Sequence, residues 1–106
     1  MNNPVSVNCP QNTWTKVATA VQNICIWRSD KSPAAYLMTY RISGSAAPTS
    51  QLEGQPLFID KYFERIQSAF SLDVYIMAIG ENGAVRVDEF LFLPDLDDLT
   101  RDRRRV

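Results

Sequence analysis

The sequence has no histidine, and only two of its 106 residues are cysteine. Without histidine, neither a Ser-His-Asp nor a Cys-His arrangement can form, which excludes the common nucleophilic hydrolases. A zinc site takes four ligands, or three and a water, drawn mainly from Cys and His. We therefore expect no metal site and no cofactor.

Motifs that bind phosphate or calcium are also missing. No GxxxxGK[ST] loop occurs, and the run SGSAAPTS lacks the glycines of a dinucleotide-binding turn. The run DLDDLTRD lacks the turn glycine and the final glutamate of a calcium loop. Asp60, Asp73 and Asp88 could supply a catalytic carboxylate pair, but no spacing selects one, and Asp73 and Asp88 are expected to lie at strand ends as turn and edge residues. We expect that the protein is not an enzyme.

Long apolar runs are absent too. No stretch approaches the ~20 apolar residues of a membrane span, and the N-terminus MNNPVSVNCPQ has neither the basic start nor the apolar core of a secretion signal. We expect a protein made in the cytosol, where disulfides are rare. Cys9 and Cys25 lie in apolar, strand-like runs, so both are expected to be small buried side chains; a disulfide between them is the alternative.

The pattern that is present is alternation of apolar and polar residues with a period of two, which is typical of strands. It predicts about seven or eight short strands, hence an all-β, antiparallel β-sandwich or jelly-roll-like barrel over residues 1–88. Asn82-Gly83 predicts a hairpin between its flanking strands. The segment KYFERIQSAF fits either a short helix or an edge strand carrying Ile66 and Ser68, and its neighbours favour the strand.

Aromatic side chains could form a platform that stacks on sugars or bases. The alternative is that they build the core of a small sandwich. Tyr36, Met38, Tyr40 and Ile42 share one face of a predicted strand, which favours the core. The residues concerned are Trp14, Trp27, Tyr36, Tyr40, Tyr62 and Tyr75.

A long loop rich in Ser, Ala, Pro, Thr and Gly separates the strand ending at Ile42 from the one beginning at Leu57. Loops of this length are uncommon in compact domains and are usually functional or disordered. We predict that it is a docking element, with partner contacts at Ala46, Ala47, Pro48 and Thr49. A merely solvated loop is the alternative.

The C-terminal residues 89–106 are predicted to form an extended arm. Phe90, Leu91, Phe92 and Leu93 precede Pro94, which cannot donate a bond within a central strand, and an apolar stretch left in water is unfavourable. The stretch therefore folds back onto its own domain or docks on a neighbour, and the neighbour is favoured. The end of the arm is charged: five acids between residues 88 and 98 precede four arginines, Arg101, Arg103, Arg104 and Arg105. Such separated charge blocks are typical of interaction segments, and a solvated end is the alternative.

Four stretches resemble a group of small structural proteins of tailed bacteriophages. The matching residues are Trp14 to Ala18, Tyr40 to Thr49, Glu53 to Pro56 and Asp73 to Val87. The resemblance covers about residues 5 to 88, leaves out the arm and includes no catalytic signature. It implies a β-sandwich virion protein that decorates the capsid or lies at the neck or tail.

The resemblance implies particular partners. The major capsid protein or other virion proteins are expected, contacted through the loop and the arm, with copies of the chain forming a homo-oligomer for which a trimer is expected from the class. The alternative is a neck, tail or fibre module that binds a receptor or a carbohydrate. Nucleic acid is not an expected partner at a net charge of −1; the alternative is that the arginines face packaged DNA, which requires the arm to point into the capsid.

Overall fold

The computed structural model describes residues 5–29, 34–59 and 63–89. These form one antiparallel sheet of six strands in the order β1-β6-β2-β5-β3-β4, and the only helical segment among them is one short 3-10 turn at Gln51–Glu53. The all-β prediction is confirmed. The strands are β1 (Val5–Cys9), β2 (Thr15–Arg28), β3 (Ala35–Ile42), β4 (Gln55–Leu57), β5 (Glu64–Ile79) and β6 (Gly83–Glu89).

Two strands are far longer than predicted, which is why the described part of the chain holds six strands and not seven or eight. β2 has 14 residues and continues through Gln22-Asn23, where the sequence predicts a break. Its pairing with β5 shifts register between Lys16 and Asn23, and Ala20 has a positive φ of 54°. Bulges of this kind bend a strand and increase its twist. The polar interruption is therefore a bend inside one strand.

β5 has 16 residues and merges two predicted strands in the same way. Within the described chain, its first part pairs with β2 alone, and its second part, from Leu72 to Ile79, also pairs with β3. Ile66 and Ser68 therefore lie on a local edge, as predicted, and the helix alternative is wrong.

The bends fold the sheet over so that its two halves face one another across the core. A parallel bridge joins Gln11, just after β1, to Ala78 of β5, although β1 and β5 are not neighbours in the sheet. The core between the halves contains five large aliphatic side chains with almost no exposed surface, each worth about 1.5–3 kcal/mol by burial. They are Ile24, Ile26, Val74, Ile76 and Val85.

The predicted hairpin at Asn82-Gly83 is wrong. β6 pairs with β1 and β2 and not with β5, so residues 80–82 cross from one half of the folded sheet to the other. The two residues serve other contacts. The side chain of Asn82 accepts a hydrogen bond from the backbone N–H of Gln11 at 2.8 Å, and a Cβ at Gly83 would lie 2.2 Å from the hydroxyl oxygen of Tyr36.

The predicted core face of β3 is only half confirmed. Tyr36 is buried and Met38 packs against the core, but Tyr40 and Ile42 are 53% and 58% exposed, because β4 pairs with β3 only as far as Met38. Cys9 and Cys25 are both buried thiols that form no disulfide with one another, as the small-side-chain interpretation predicts.

Candidate functional site

Hydrogen bonds hold the long loop in a defined conformation, and we call residues 43–54 the capped loop. It ends in the 3-10 turn, where the Ser50 hydroxyl accepts a hydrogen bond from the N–H of Leu52 at 3.2 Å. The Glu53 carboxylate reaches back and accepts from the N–H groups of Thr49 and Ser50, each at 2.8 Å. This reciprocal pattern is a capping box, which satisfies the free N–H groups at the start of a helical turn.

Glu53 also pairs with a cation. Its other carboxylate oxygen accepts a hydrogen bond from the Arg41 guanidinium of β3. The backbone donors of Thr49 and Ser50, followed by Arg41, lower the pKa of Glu53 to about 2. The cap is therefore ionised throughout the neutral and mildly acidic range.

The beginning of the capped loop is held by Asp73. This residue is buried, and its carboxylate accepts from the N–H of Ala20 at 3.0 Å and the N–H of Gly44 at 3.3 Å. The Nζ of Lys16 lies 3.7 Å from a carboxylate oxygen of Asp73. The bond from Ala20 is the main cause of a lowered pKa for Asp73, and burial opposes it.

Asp73 thus joins the bend of β2 to the capped loop, at two residues with positive φ, Ala20 at 54° and Gly44 at 92°. The prediction that Asp73 opens a strand is wrong, because it lies in the middle of β5. Asp88 is also buried and pairs with Cys25 of β2. It is the next-to-last residue of β6 and so lies at a strand end, as predicted. Asp60 lies outside the described residues.

Trp14 fastens the capped loop to the sheet. Its indole N–H donates to the carbonyl of Ser50 at 3.1 Å. Its ring lies against Gly54, where a Cβ would come within 2.6 Å of a ring carbon. The side chain is half-buried in this contact. Trp14 therefore acts as an anchor for the loop and not as part of an aromatic platform.

The other predicted platform residues are also scattered. Tyr36 and Tyr75 are buried, as expected if the aromatic residues build the core. Tyr62 lies outside the described residues. Trp27 contacts Phe63 with ring centroids 5.9 Å apart. Of the tyrosines in the described chain, Tyr40 is the one with substantial exposure, at 53%.

The surface that the capped loop presents is small and partly apolar. Ala46, Ala47 and Thr49 are exposed, as a docking element requires, whereas Pro48 is buried and offers little surface to a partner. Leu52 is 94% exposed at the 3-10 turn. Sequence reasoning missed Leu52, although a single large aliphatic residue within a polar loop was the available signal.

A cleft of about 400 Å³ lies beside the capped loop. Glu53 forms part of its wall, so the cap and the cleft share a residue. Glu64 brings a second carboxylate, and the hydroxyls of Thr39 and Tyr40 add donors and acceptors. This lining suits a cationic or hydroxyl-rich group. The remaining lining residues are Met38, Gln55, Pro56 and Leu57.

The predicted contacts in the arm, Phe90 to Leu93 and Arg101 to Arg105, lie outside the described residues. Within the described ranges, no three His, Cys, Asp or Glu side chains are grouped as a metal site would need. No helix in that part of the chain has the length and apolar character to cross a membrane. Comparison with protein-family models, with curated proteins and with solved structures found no match for this chain.

Proposed function

We propose that this chain is a structural protein of a tailed-bacteriophage particle, most simply a decoration protein that binds the lattice of the major capsid protein. The observation that carries the proposal is Leu52, which is 94% exposed on a loop whose conformation is held by hydrogen bonds. A binding loop ordered in advance loses little conformational entropy on association. The sequence resemblance to small phage structural proteins supports the same conclusion.

The coat-protein surface that binds this chain is expected to combine an apolar depression with charged side chains. Leu52, with Ala46 and Ala47 nearby in sequence, would enter a shallow apolar depression on the coat protein, because burying an exposed aliphatic side chain removes apolar surface from water. The carboxylate of Glu64 at the adjacent cleft suits a basic side chain, whereas that of Glu53 is already paired with Arg41. In the arm, Arg101, Arg103, Arg104 and Arg105 would pair with coat carboxylates. Repetition over a symmetric lattice, with trimers as the expected unit, multiplies such contacts.

The first test is the copy number of this chain in purified particles, measured by quantitative mass spectrometry against the coat protein. A decoration protein is expected at the coat protein's own number or a simple fraction of it. A handful of copies would place the chain at the neck, tail or fibre. Absence of the chain from particles would overturn the proposal.

The second test separates the capped loop from other exposed apolar residues. Leu52→Ala is expected to weaken binding to particles that lack this chain by about tenfold or more, as loss of an interface anchor does. Phe58→Ala is the matched control, since Phe58 is 78% exposed but lies outside the capped loop. Equal effects of the two substitutions would contradict the role of the loop.

The alternative, a receptor- or carbohydrate-binding module, is favoured by one observation. The cleft combines an exposed tyrosine with two carboxylates, a lining that can hydrogen-bond sugar hydroxyls. For this function, Tyr40→Ala would abolish binding to a glycan array while Leu52→Ala would not. The reverse result supports the decoration function.

A further inference from the structure

One edge of β3 has no neighbouring strand beyond Met38 within the described chain. β4 pairs with β3 only as far as Met38, whereas β5 pairs with β3 along its whole length. We call the unpaired side of Thr39–Ile42 the open edge. The side chains of Tyr40 and Ile42 are 53% and 58% exposed, so the open edge lies at the surface. Edges of this kind are templates for a further strand.

The open edge presents three backbone groups. The Ser43 N–H donates to the Ser71 carbonyl at 2.9 Å, so the backbone of Ser43 faces β5. Because backbone groups alternate in direction along a strand, those of Tyr40 and Ile42 face away from β5. The Ile42 carbonyl accepts from the Ser45 N–H at 3.0 Å. The N–H and the carbonyl of Tyr40 and the N–H of Ile42 are therefore directed to the open edge.

The pairing of β4 agrees with this direction of the backbone. Pro56 lies opposite Leu37, whose backbone faces β5 by the same alternation, and proline has no N–H to donate to a neighbouring strand. The residue before β4, Gly54, bonds within the capped loop instead, since its N–H donates to the carbonyl of Gln51 at 3.0 Å. A strand added at the open edge would therefore continue the line of β4 along β3.

The cleft of about 400 Å³ lies along the open edge, since Thr39 and Tyr40 are part of its lining. Its volume is within the range of ligand-binding clefts. Two carboxylates belong to the lining, and that of Glu53 is paired with Arg41. In the described ranges, no cation pairs with Glu64. The cleft therefore adds a negative charge beside the backbone groups of the open edge.

We propose that the open edge and this cleft bind an extended segment of a partner protein as an added strand, with a basic side chain of that segment directed to Glu64. In such recognition, backbone hydrogen bonds supply affinity and side-chain contacts supply specificity. A second copy of this chain on the same edge, related by a two-fold axis, would bring two Glu64 carboxylates to one interface, and like charges oppose that arrangement. The inference does not depend on the proposed function, because backbone and charge are recognised whichever protein carries the segment.

The test uses the peptide acetyl-Val-Arg-Val-Arg-Val-amide, since valine favours an extended backbone. It is titrated into the full-length chain, and hydrogen exchange is followed by NMR. At saturation, exchange of the Tyr40 and Ile42 N–H groups is expected to slow about tenfold or more, because exchange then requires the added strand to open. Exchange at Thr39 and Arg41, whose backbone faces β5, should not change. No slowing, or equal slowing at all four residues, would overturn the proposal.

The role of Glu64 is tested by a charge-neutral variant. Glu64→Gln is expected to weaken binding of the peptide about fivefold or more, because the basic side chain loses its charged partner. Glu81→Gln is the matched control, the same substitution at an exposed position between β5 and β6, and leaves the affinity unchanged. Equal weakening by the two substitutions would mean a general attraction of charge and would overturn the assignment to the cleft.

The free protein shows whether another occupant is already present. Tyr40 and Ile42 N–H groups that exchange faster than those of Thr39 and Arg41 before peptide is added support an open edge. Slow exchange that is independent of protein concentration would mean that the chain covers its own edge. Slow exchange that grows with concentration would mean that a second copy covers it. Either kind of slow exchange would overturn the proposal.

Discussion

The hydroxyl of Tyr36 in β3 exchanges two hydrogen bonds with the backbone of Ala84 in β6. It accepts from the N–H at 3.1 Å and donates to the carbonyl at 3.2 Å. β3 and β6 are separated by two strands in the sheet, so this contact runs between the two facing halves. The Tyr36 side chain thereby supplies a hydrogen-bond acceptor for the Ala84 N–H, near the start of β6.

Tyr36→Phe is expected to destabilise the protein by about 1–3 kcal/mol, because it removes the acceptor of the Ala84 N–H, whereas the Ala84 carbonyl keeps its bond from the Ser29 N–H. Urea unfolding measures the change. Tyr40→Phe is the control, as its hydroxyl is at an exposed position, and it should shift stability by less than about 0.5 kcal/mol. Equal losses in the two variants would show that the bond to Ala84 contributes nothing.

Gly83→Ala is expected to cost about 1–3 kcal/mol by overpacking, because its Cβ would lie 2.2 Å from the Tyr36 hydroxyl oxygen and 2.8 Å from the ring. Removing the hydroxyl relieves the closest contact. The double variant with Tyr36→Phe should therefore lose less stability than the sum of the two single variants. A strictly additive double variant would contradict the steric explanation.

The cap at Glu53 makes a prediction about acid. Its pKa is lowered from 4.5 to about 2 in the folded protein, so its stabilising effect is complete above the unfolded pKa and is lost as the pH falls towards about 2. We expect the amide signals of Thr49 and Ser50 to move in NMR spectra only below pH 4.5, with a midpoint near 2. Glu53→Gln should remove that transition. A midpoint at 4.5 would mean that the cap does not form.

Asp73 is expected to stabilise both the bend of β2 at Ala20 and the start of the capped loop at Gly44. Asp73→Ala removes the acceptor of the Ala20 and Gly44 N–H groups, so hydrogen exchange should rise at the bend of β2 and at the start of the capped loop together. Asp73→Asn keeps one acceptor oxygen and should show a smaller rise. A rise at only one of the two sites would separate the bend from the loop.

The two thiols are expected to be unreactive in the folded protein. Both are buried, and burial raises the pKa of Cys25, with Arg65 opposing and Asp88 adding to the effect. Because the thiolate is the reactive form, labelling with an aromatic disulfide reagent should be slow in buffer and should reach both thiols in urea. Fast labelling of one thiol in buffer would contradict the packing around it.

Part of the candidate site could be predicted from residue types. The composition between Ile42 and Leu57, rich in Ser, Ala, Pro and Thr, predicted a loop that either docks on a partner or is only solvated. Ala46, Ala47 and Thr49 are exposed, as either function of the loop requires. The cap of Ser50 and Glu53, the burial of Pro48 and the exposure of Leu52 were missed. They depend on where Arg41 and Trp14 hold the loop, and Trp14 is 36 residues from its partner Ser50.

What the sequence by itself determined is the class of structure: alternation such as Val85-Arg86-Val87 requires a strand with one buried face, wherever that strand pairs. Only the tertiary structure decided the partners. Asn82-Gly83 is the local signal of a hairpin, yet β6 pairs with β1 and β2, because the bend at Ala20 brings the halves of the sheet together and Gly83 is needed under the Tyr36 ring. Local preferences act over a few residues, whereas pairing is selected by the core that the whole chain can bury.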